Sequence, residues 1–167
     1  MSAEDVLVVR QGSTGLDPVA AATLTARLEP ATLFTGRGVV PAVVETVVGA
    51  GGWSGVGSTR TVRMADGTFI TEVLTDLVPG EVYAYELRRL PVPFDLLVSG
   101  ARSEVRFSPD VSGGTVVSWR FAFHPRPWRR LLVRALVAPL WGRYLNDSLA
   151  RLVGSLWKAV PESADRH

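Results

Sequence analysis

The spacing of apolar residues changes period once along the chain, and that change constrains the fold more than any other feature. From Ser58 to His124 apolar and polar residues alternate in short runs, punctuated at Ala65-Asp66-Gly67, Pro79-Gly80, Pro91-Val92-Pro93 and Asp110 to Gly114. Such punctuation marks antiparallel strands joined by tight turns. After Pro125 and Pro127 the recurrence lengthens. Leu136, Leu140, Tyr144, Leu145, Leu149, Leu152 and Leu156 fall at helical spacing, with Arg143, Asp147, Arg151 and Lys158 mainly on the opposite side. A strand meander followed by one long amphipathic helix is predicted. Pro139, which has no N–H to give, is expected to kink or split that helix.

The N-terminal third adds smaller elements. A short strand fits Asp5 to Arg10, and Leu16-Asp17-Pro18 supplies an Asp N-cap followed by Pro at the first helical position, so a helix is predicted over Pro18 to Leu28. Glu29-Pro30 stops it, leaving at most one further helical turn at Ala31 to Phe34. The Val-rich run Pro41 to Val48 reads as a strand, and Gly49 to Gly57, with Trp53 at its centre, reads as a loop.

A chain of 167 residues with 47% hydrophobic and 20% charged composition must bury a core and forms one domain, expected over residues 1–160 with a disordered tail at 161–167. There are no cysteines, which excludes disulfides, thiolate chemistry and Cys-based zinc sites. The net charge is only +2 and the 17 arginines are spread along the sequence, so nucleic acid is not an expected partner. The opening Met1-Ser2-Ala3-Glu4-Asp5 carries acid where a signal peptide carries base, and a cytoplasmic protein is expected. Leu131 to Leu145 is interrupted by Arg134, Pro139, Gly142 and Arg143. A bilayer span needs about 20 nearly uninterrupted apolar residues, so no integral span is expected.

Turn lengths fix which strand residues share a face. A three-residue turn at Ala65-Asp66-Gly67 sets Val62 opposite Ile70 and Arg60 opposite Glu72. A two-residue turn at Pro79-Gly80 pairs Val78 with Glu81, Leu74 with Tyr85 and Glu72 with Leu87. One face therefore holds Arg60, Val62, Met64, Ile70, Glu72, Leu74, Tyr83, Tyr85 and Leu87. In the last two strands Val105, Phe107, Val117, Trp119, Phe121 and Phe123 share a parity, and Arg102, Glu104, Arg106 and Arg120 take the other. The predicted inner face is aromatic and encloses a charged pair.

Strand, helical pair, antiparallel strands and long C-terminal helix, with Gly57-Ser58-Thr59-Arg60-Thr61-Val62, Asp66-Gly67, Thr71-Glu72, Tyr83-x-Tyr85 and Gly114-Thr115-Val116-Val117-Ser118-Trp119, resemble the START-like superfamily, in its polyketide cyclase/dehydrase and lipid-transport branch. The resemblance implies an α+β helix-grip fold in which a curved antiparallel sheet of about seven strands wraps the long helix around an apolar cavity. In plant hormone receptors of that fold, positions matching Arg60, Val62, Glu72, Tyr85 and Trp119 lie in or beside the cavity. Those receptors carry a gating loop between their third and fourth strands. Here it is reduced to the Ala65-Asp66-Gly67 turn.

The candidate ligand-binding residues are Arg60, Val62, Ile70, Glu72, Tyr83, Tyr85, Leu87, Val117, Trp119 and Phe121. Arg60 with Glu72 has two readings, an anchor for a ligand's carbonyl, hydroxyl or carboxylate, or a structural ion pair at the sheet's edge. Arg60, directly across the ladder, is expected to hold Glu72 ionised with a low pKa. The aromatics read either as cavity walls or as core. The histidines are His124 and His167, so no metal site is expected, and no cofactor. His124 ends a strand, with no Gly-x-Ser-x-Gly elsewhere to suggest a triad. The Gly49 to Gly57 loop reads as a portal with Trp53 as its flap, or simply as a loop. Arg126, Arg129, Arg130 and Arg134 with Trp128 read as a transient membrane contact or as a solvated helix start. The functional expectation is binding of a hydrophobic small molecule, a lipid, polyketide or other aromatic or isoprenoid metabolite, by a monomer or homodimer. The alternative is a polyketide aromatase/cyclase or dehydratase using Arg60, Glu72 and Tyr85.

Overall fold

The computed structural model describes residues 4–161. Seven antiparallel strands form one sheet: β1 (Val6–Thr14), β2 (Val43–Val48), β3 (Thr59–Met64), β4 (Phe69–Val78), β5 (Val82–Arg88), β6 (Val98–Pro109) and β7 (Thr115–Pro125). Their spatial order is β1-β7-β6-β5-β4-β3-β2, so the first and second strands form the two edges. Between them run α1 (Pro18–Arg27) and α2 (Pro30–Leu33). Asp17 caps α1 by accepting from the Ala20 N–H at 3.0 Å, and Pro18 opens it. The architecture is the expected α+β helix grip. The tail expected over 161–167 lies, from residue 162 onward, outside the described residues.

The C-terminal helix is split ahead of Pro139. A turn of α-helix, α3 (Arg130–Leu132), passes into a π-helical turn at Val133–Val137 and then into α4 (Ala138–Lys158). Proline collides with the carbonyl one turn before it, and a widened turn relieves that collision. The extra residue also shifts the helical phase. Val133 and Val137 point inward, and Leu136, expected on the apolar face, is 61% exposed. From Tyr144 onward the expected face holds, with Leu145, Leu149, Leu152 and Leu156 buried against the sheet. The helix lies close to β1. A Cβ on Gly12 would stand 2.7 Å from Val153 Cγ2.

β1 runs four residues past its predicted end at Arg10, because the ladder to β7 continues through Gly12↔Val117 to Thr14↔Thr115. The β3–β4 hairpin has the predicted register, Arg60↔Glu72 and Val62↔Ile70, and Gly67 takes φ +86° at the turn. The β4–β5 hairpin differs at its tip. Val78 pairs with Val82 across three residues, and a bulge between Leu74 and Asp76 restores the predicted Leu74↔Tyr85 and Glu72↔Leu87. Two one-residue departures cancel, so the expected residues face inward beyond the bulge.

Candidate functional site

The site begins with Arg60 and Glu72. Their neighbouring positions on β3 and β4 put both side chains on the concave face, where Arg60 Nε donates to Glu72 Oε2 at 2.5 Å. Both residues are buried, at 7% and 6% exposure, inside an otherwise apolar and aromatic surround. Desolvating two charges costs several kcal/mol each, which one hydrogen bond does not offset alone. Aromatic faces supply more. The Arg60 Cζ lies 4.1 Å from the Trp53 ring centroid and 5.2 Å from that of Tyr85. Trp53 is held there by its Nε1–H, which donates to the Tyr83 hydroxyl at 2.7 Å. Deeper in the sheet, Trp119 Nε1 donates to Ser103 Oγ at 2.9 Å.

The electrostatics correct one expectation. Complete burial pushes the Glu72 carboxyl above the ordinary glutamate range, and the opposing charge and hydrogen bond of Arg60 do not cancel that shift. Desolvation outweighs the cation because Glu72 is taken entirely out of water with Arg60 as its one charged donor. Burial works to lower the pKa of Arg60, but the charge and hydrogen bond of Glu72 oppose it and the guanidinium stays charged. Burial also raises the phenols of Tyr83 and Tyr85, which stay neutral and able to donate.

Three clefts between sheet and helices share walls and run in series. The outer one, about 470 Å³ counted, like the other two, with adjoining open space, is wholly apolar and lies between Val40-Pro41, Leu90-Pro91, Phe94 and Trp141. It shares Met64, Ile70, Leu87 and Trp141 with a middle cleft of about 300 Å³, to which Glu72, Phe121 and Tyr144 contribute. The middle cleft shares Phe34 and Tyr85 with an inner one of about 330 Å³ beside Arg60, Tyr83 and Trp119. Polarity thus rises from the mouth to the inner end.

Nine of the ten candidate residues line this series: Ile70 and Leu87 toward the mouth, Val62, Glu72 and Phe121 in the middle, and Arg60, Tyr83, Tyr85 and Trp119 inside. Val117 faces inward but is fully packed and lines none of the three. Trp141, Tyr144, Phe34 and Ser103 were not singled out from sequence. Trp141 and Tyr144 lie one helical step apart on α4, ring centroids 4.8 Å apart, and the indole meets Phe121 and Phe123 edge-on. The Trp141 Nε1 is buried without a hydrogen-bond partner among the described residues. The signal for Ser103 was its parity with Ala101 and Val105.

His124 stands outside the clefts, on the parity opposite Phe123, its Nδ1 2.8 Å from Asp5 Oδ1 and its Nε2 3.2 Å from Glu86 Oε2. Both ring nitrogens are committed to carboxylates, which leaves none for a serine. No cluster of metal-ligating side chains occurs among the described residues, and no described helix is long and apolar enough to cross a membrane.

A curved sheet gripping a long helix over a buried polar pair and an apolar cleft defines the class of the molecule. The family model for polyketide cyclase/dehydrase and lipid transport matches residues 18–156, and the chain belongs to that family. No curated protein sequence matches it. Among solved structures, the chain is similar to XoxI from Bacillus cereus, with a TM-score of 0.69, 16% identity and coverage of 94% of this chain and 99% of that one. It is also similar to norcoclaurine synthase from Thalictrum flavum in complex with dopamine and hydroxybenzaldehyde, with a TM-score of 0.68, 12% identity and coverage of 95% and 90%. The di-domain ARO/CYC StfQ of the steffimycin biosynthetic pathway gives a TM-score of 0.67 at 17% identity, covering 93% of this chain and 51% of that one. At these identities the likeness is one of fold.

Proposed function

We propose that this protein binds a hydrophobic small molecule, a lipid, polyketide or other aromatic or isoprenoid metabolite, between the sheet and α4, with the ligand's polar end toward Arg60. The observation that carries this reading is the gradient along the clefts, from an apolar mouth to a buried guanidinium. An amphipathic ligand fits such a gradient in one orientation. Its carbonyl, hydroxyl or carboxylate would take a charge-assisted hydrogen bond from Arg60, of the kind worth about 1.5–3 kcal/mol. The buried Trp141 Nε1 offers a second donor along the way. Leaving a buried donor unpaired costs about 1–3 kcal/mol, which a ligand acceptor would recover. The test is to extract the purified protein with organic solvent and identify by mass spectrometry what is released. An amphipathic molecule present in the wild type and depleted in the doubly substituted Arg60→Gln/Glu72→Gln protein supports the reading. An empty extract together with no uptake of an apolar dye overturns it.

A second reading rests on the upward shift of Glu72. A carboxyl poised above its ordinary range can exchange a proton with substrate, with Arg60 polarising a carbonyl and Tyr85 donating a hydrogen bond, as an aromatase/cyclase or dehydratase requires. Norcoclaurine synthase and StfQ are catalytic relatives in fold by their names. This reading requires turnover, which binding alone does not.

A further inference from the structure

We infer that the surface around Trp128 docks the cleft mouth onto an anionic lipid bilayer. Trp128 is 97% exposed and sits at φ +66°, a left-handed conformation that a bulky residue adopts only at an energetic cost. The large apolar ring of this residue stands out in solvent. Leu131 and Leu136 of the split helix, and Val92 and Leu96 of the β5–β6 connection, are each more than half exposed. The two segments are joined, since the Arg126 N–H donates to the Leu97 carbonyl at 2.9 Å and the Arg126 side chain donates to the Asp95 carbonyl. Leu90, Pro91 and Phe94 of the same connection form one lip of the outer cleft, so the patch lies beside the entrance.

Charge chooses the occupant. From Val111 to Asn146 the sequence has no acidic residue and six arginines, five of them, Arg126, Arg129, Arg130, Arg134 and Arg143, within residues 126–143. Among the described residues, Arg126, Arg129 and Arg134 form no ion pair, whereas Arg130 reaches Glu4 at 3.6 Å. Aliphatic side chains surrounding a single indole suit acyl chains and the interfacial zone, and they offer little for stacking nucleic-acid bases. Arginines flanking them complement anionic headgroups. Docking would let an apolar ligand pass between bilayer and cleft without crossing water. That purpose rests on the ligand-binding reading, but the docking itself does not.

The test is co-sedimentation of the full chain with phosphatidylcholine vesicles, with and without phosphatidylserine. Trp128→Gly removes the ring and relieves the left-handed strain, so folding is preserved, and partitioning is expected to fall about tenfold or more. Replacing Arg126, Arg129 and Arg134 together by Gln is expected to reduce binding to phosphatidylserine vesicles about a hundredfold, at roughly fivefold per arginine. Equal binding to both vesicle types, no binding, or an unchanged Trp128→Gly protein overturns the inference. So does tighter binding to an oligonucleotide, or self-association that Trp128→Gly abolishes. Dye uptake in vesicle-free solution reads the cleft separately. Its absence alongside intact docking would sink the ligand-binding reading and leave the docking standing.

Discussion

The indole of Trp53 covers the guanidinium of Arg60, ring centroid to Cζ 4.1 Å, and its N–H is bonded to Tyr83. A residue of the glycine-rich β2–β3 loop thereby covers the charged group that lines the inner cleft. The loop reaches this position through backbone that only glycine adopts easily, with Gly52 at φ +78° and Gly57 at φ +93°. Two contacts hold the cover, a cation–π pair worth about 0.5–2 kcal/mol and a hydrogen bond worth about 0.5–1.5 kcal/mol.

Trp53→Ala is therefore expected to expose Arg60, lower the unfolding free energy by about 1–3 kcal/mol and speed dye entry. Trp53→Phe keeps a ring over Arg60 and loses the bond to Tyr83, so it should fall between the two. Stopped-flow dye uptake with urea unfolding measures both effects. Unchanged entry in Trp53→Ala would mean that ligands pass only through the outer mouth.

Leu87 and Val117 make a contrasting pair. Leu87 borders the outer and middle clefts, whereas Val117 is packed on all sides. Leu87→Trp is expected to fill open space, abolish dye uptake and change stability little. Val117→Trp has nowhere to go and is expected to cost about 1–3 kcal/mol, as overpacked cores do. If both destabilise equally and neither alters uptake, the clefts are too collapsed to serve as a site.

The inner face was legible in the sequence because turn lengths and strand parity fix register, and both survived even where the Pro79-Gly80 tip was misjudged, the bulge at Thr75 cancelling the error. The helix wall was less legible. Trp141 and Tyr144 belong to the helical run, but periodicity says only that a helix face is buried, not which of its residues meet a cleft. Leu136 was misplaced because a π turn adds a residue to the phase, and a proline announces a disturbance without its kind. The Glu72 shift was misjudged because the sequence gives the partner across the ladder and not the depth of burial, and depth decides the balance.

His124 ties the N-terminus of β1 to β5 through Asp5 and Glu86, with Arg102 cross-strand from Glu86. Burial would lower its pKa, but the two carboxylates outweigh it and raise the value above 6.5. A raised histidine contributes stability fully below its unfolded value and loses it as pH rises through the folded one. His124→Gln is therefore expected to destabilise the protein on the acid side of 6.5, with the difference from wild type shrinking as the medium turns alkaline. Urea midpoints across pH measure it. A difference that grows with pH would contradict the assigned pairing.

Glu72 gives the opposite sign and decides between binder and enzyme. Its folded pKa lies above the unfolded 4.5, so the unfolded chain ionises first as pH rises. Stability contributed by this group falls from about 4.5 upward and reaches its low plateau above the folded value. Glu72→Gln resembles the protonated form permanently. Its stability advantage over wild type should therefore grow between the two pKa values and level off beyond them. Asp66, Asp76 and Glu104, all held low by their hydrogen bonds, contribute the reverse trend in both proteins and cancel from the difference. Carbon-detected NMR titration of the Glu72 carboxyl is expected to show the upward shift directly. The binding reading further expects no turnover when the protein is incubated with poly-β-ketone analogues, Glu72 serving only to hold Arg60 in place. A cyclised product formed by the wild type and lost in Glu72→Gln, with binding of the analogue unchanged, would show that Glu72 moves protons in a transition state and would replace the binder with the cyclase.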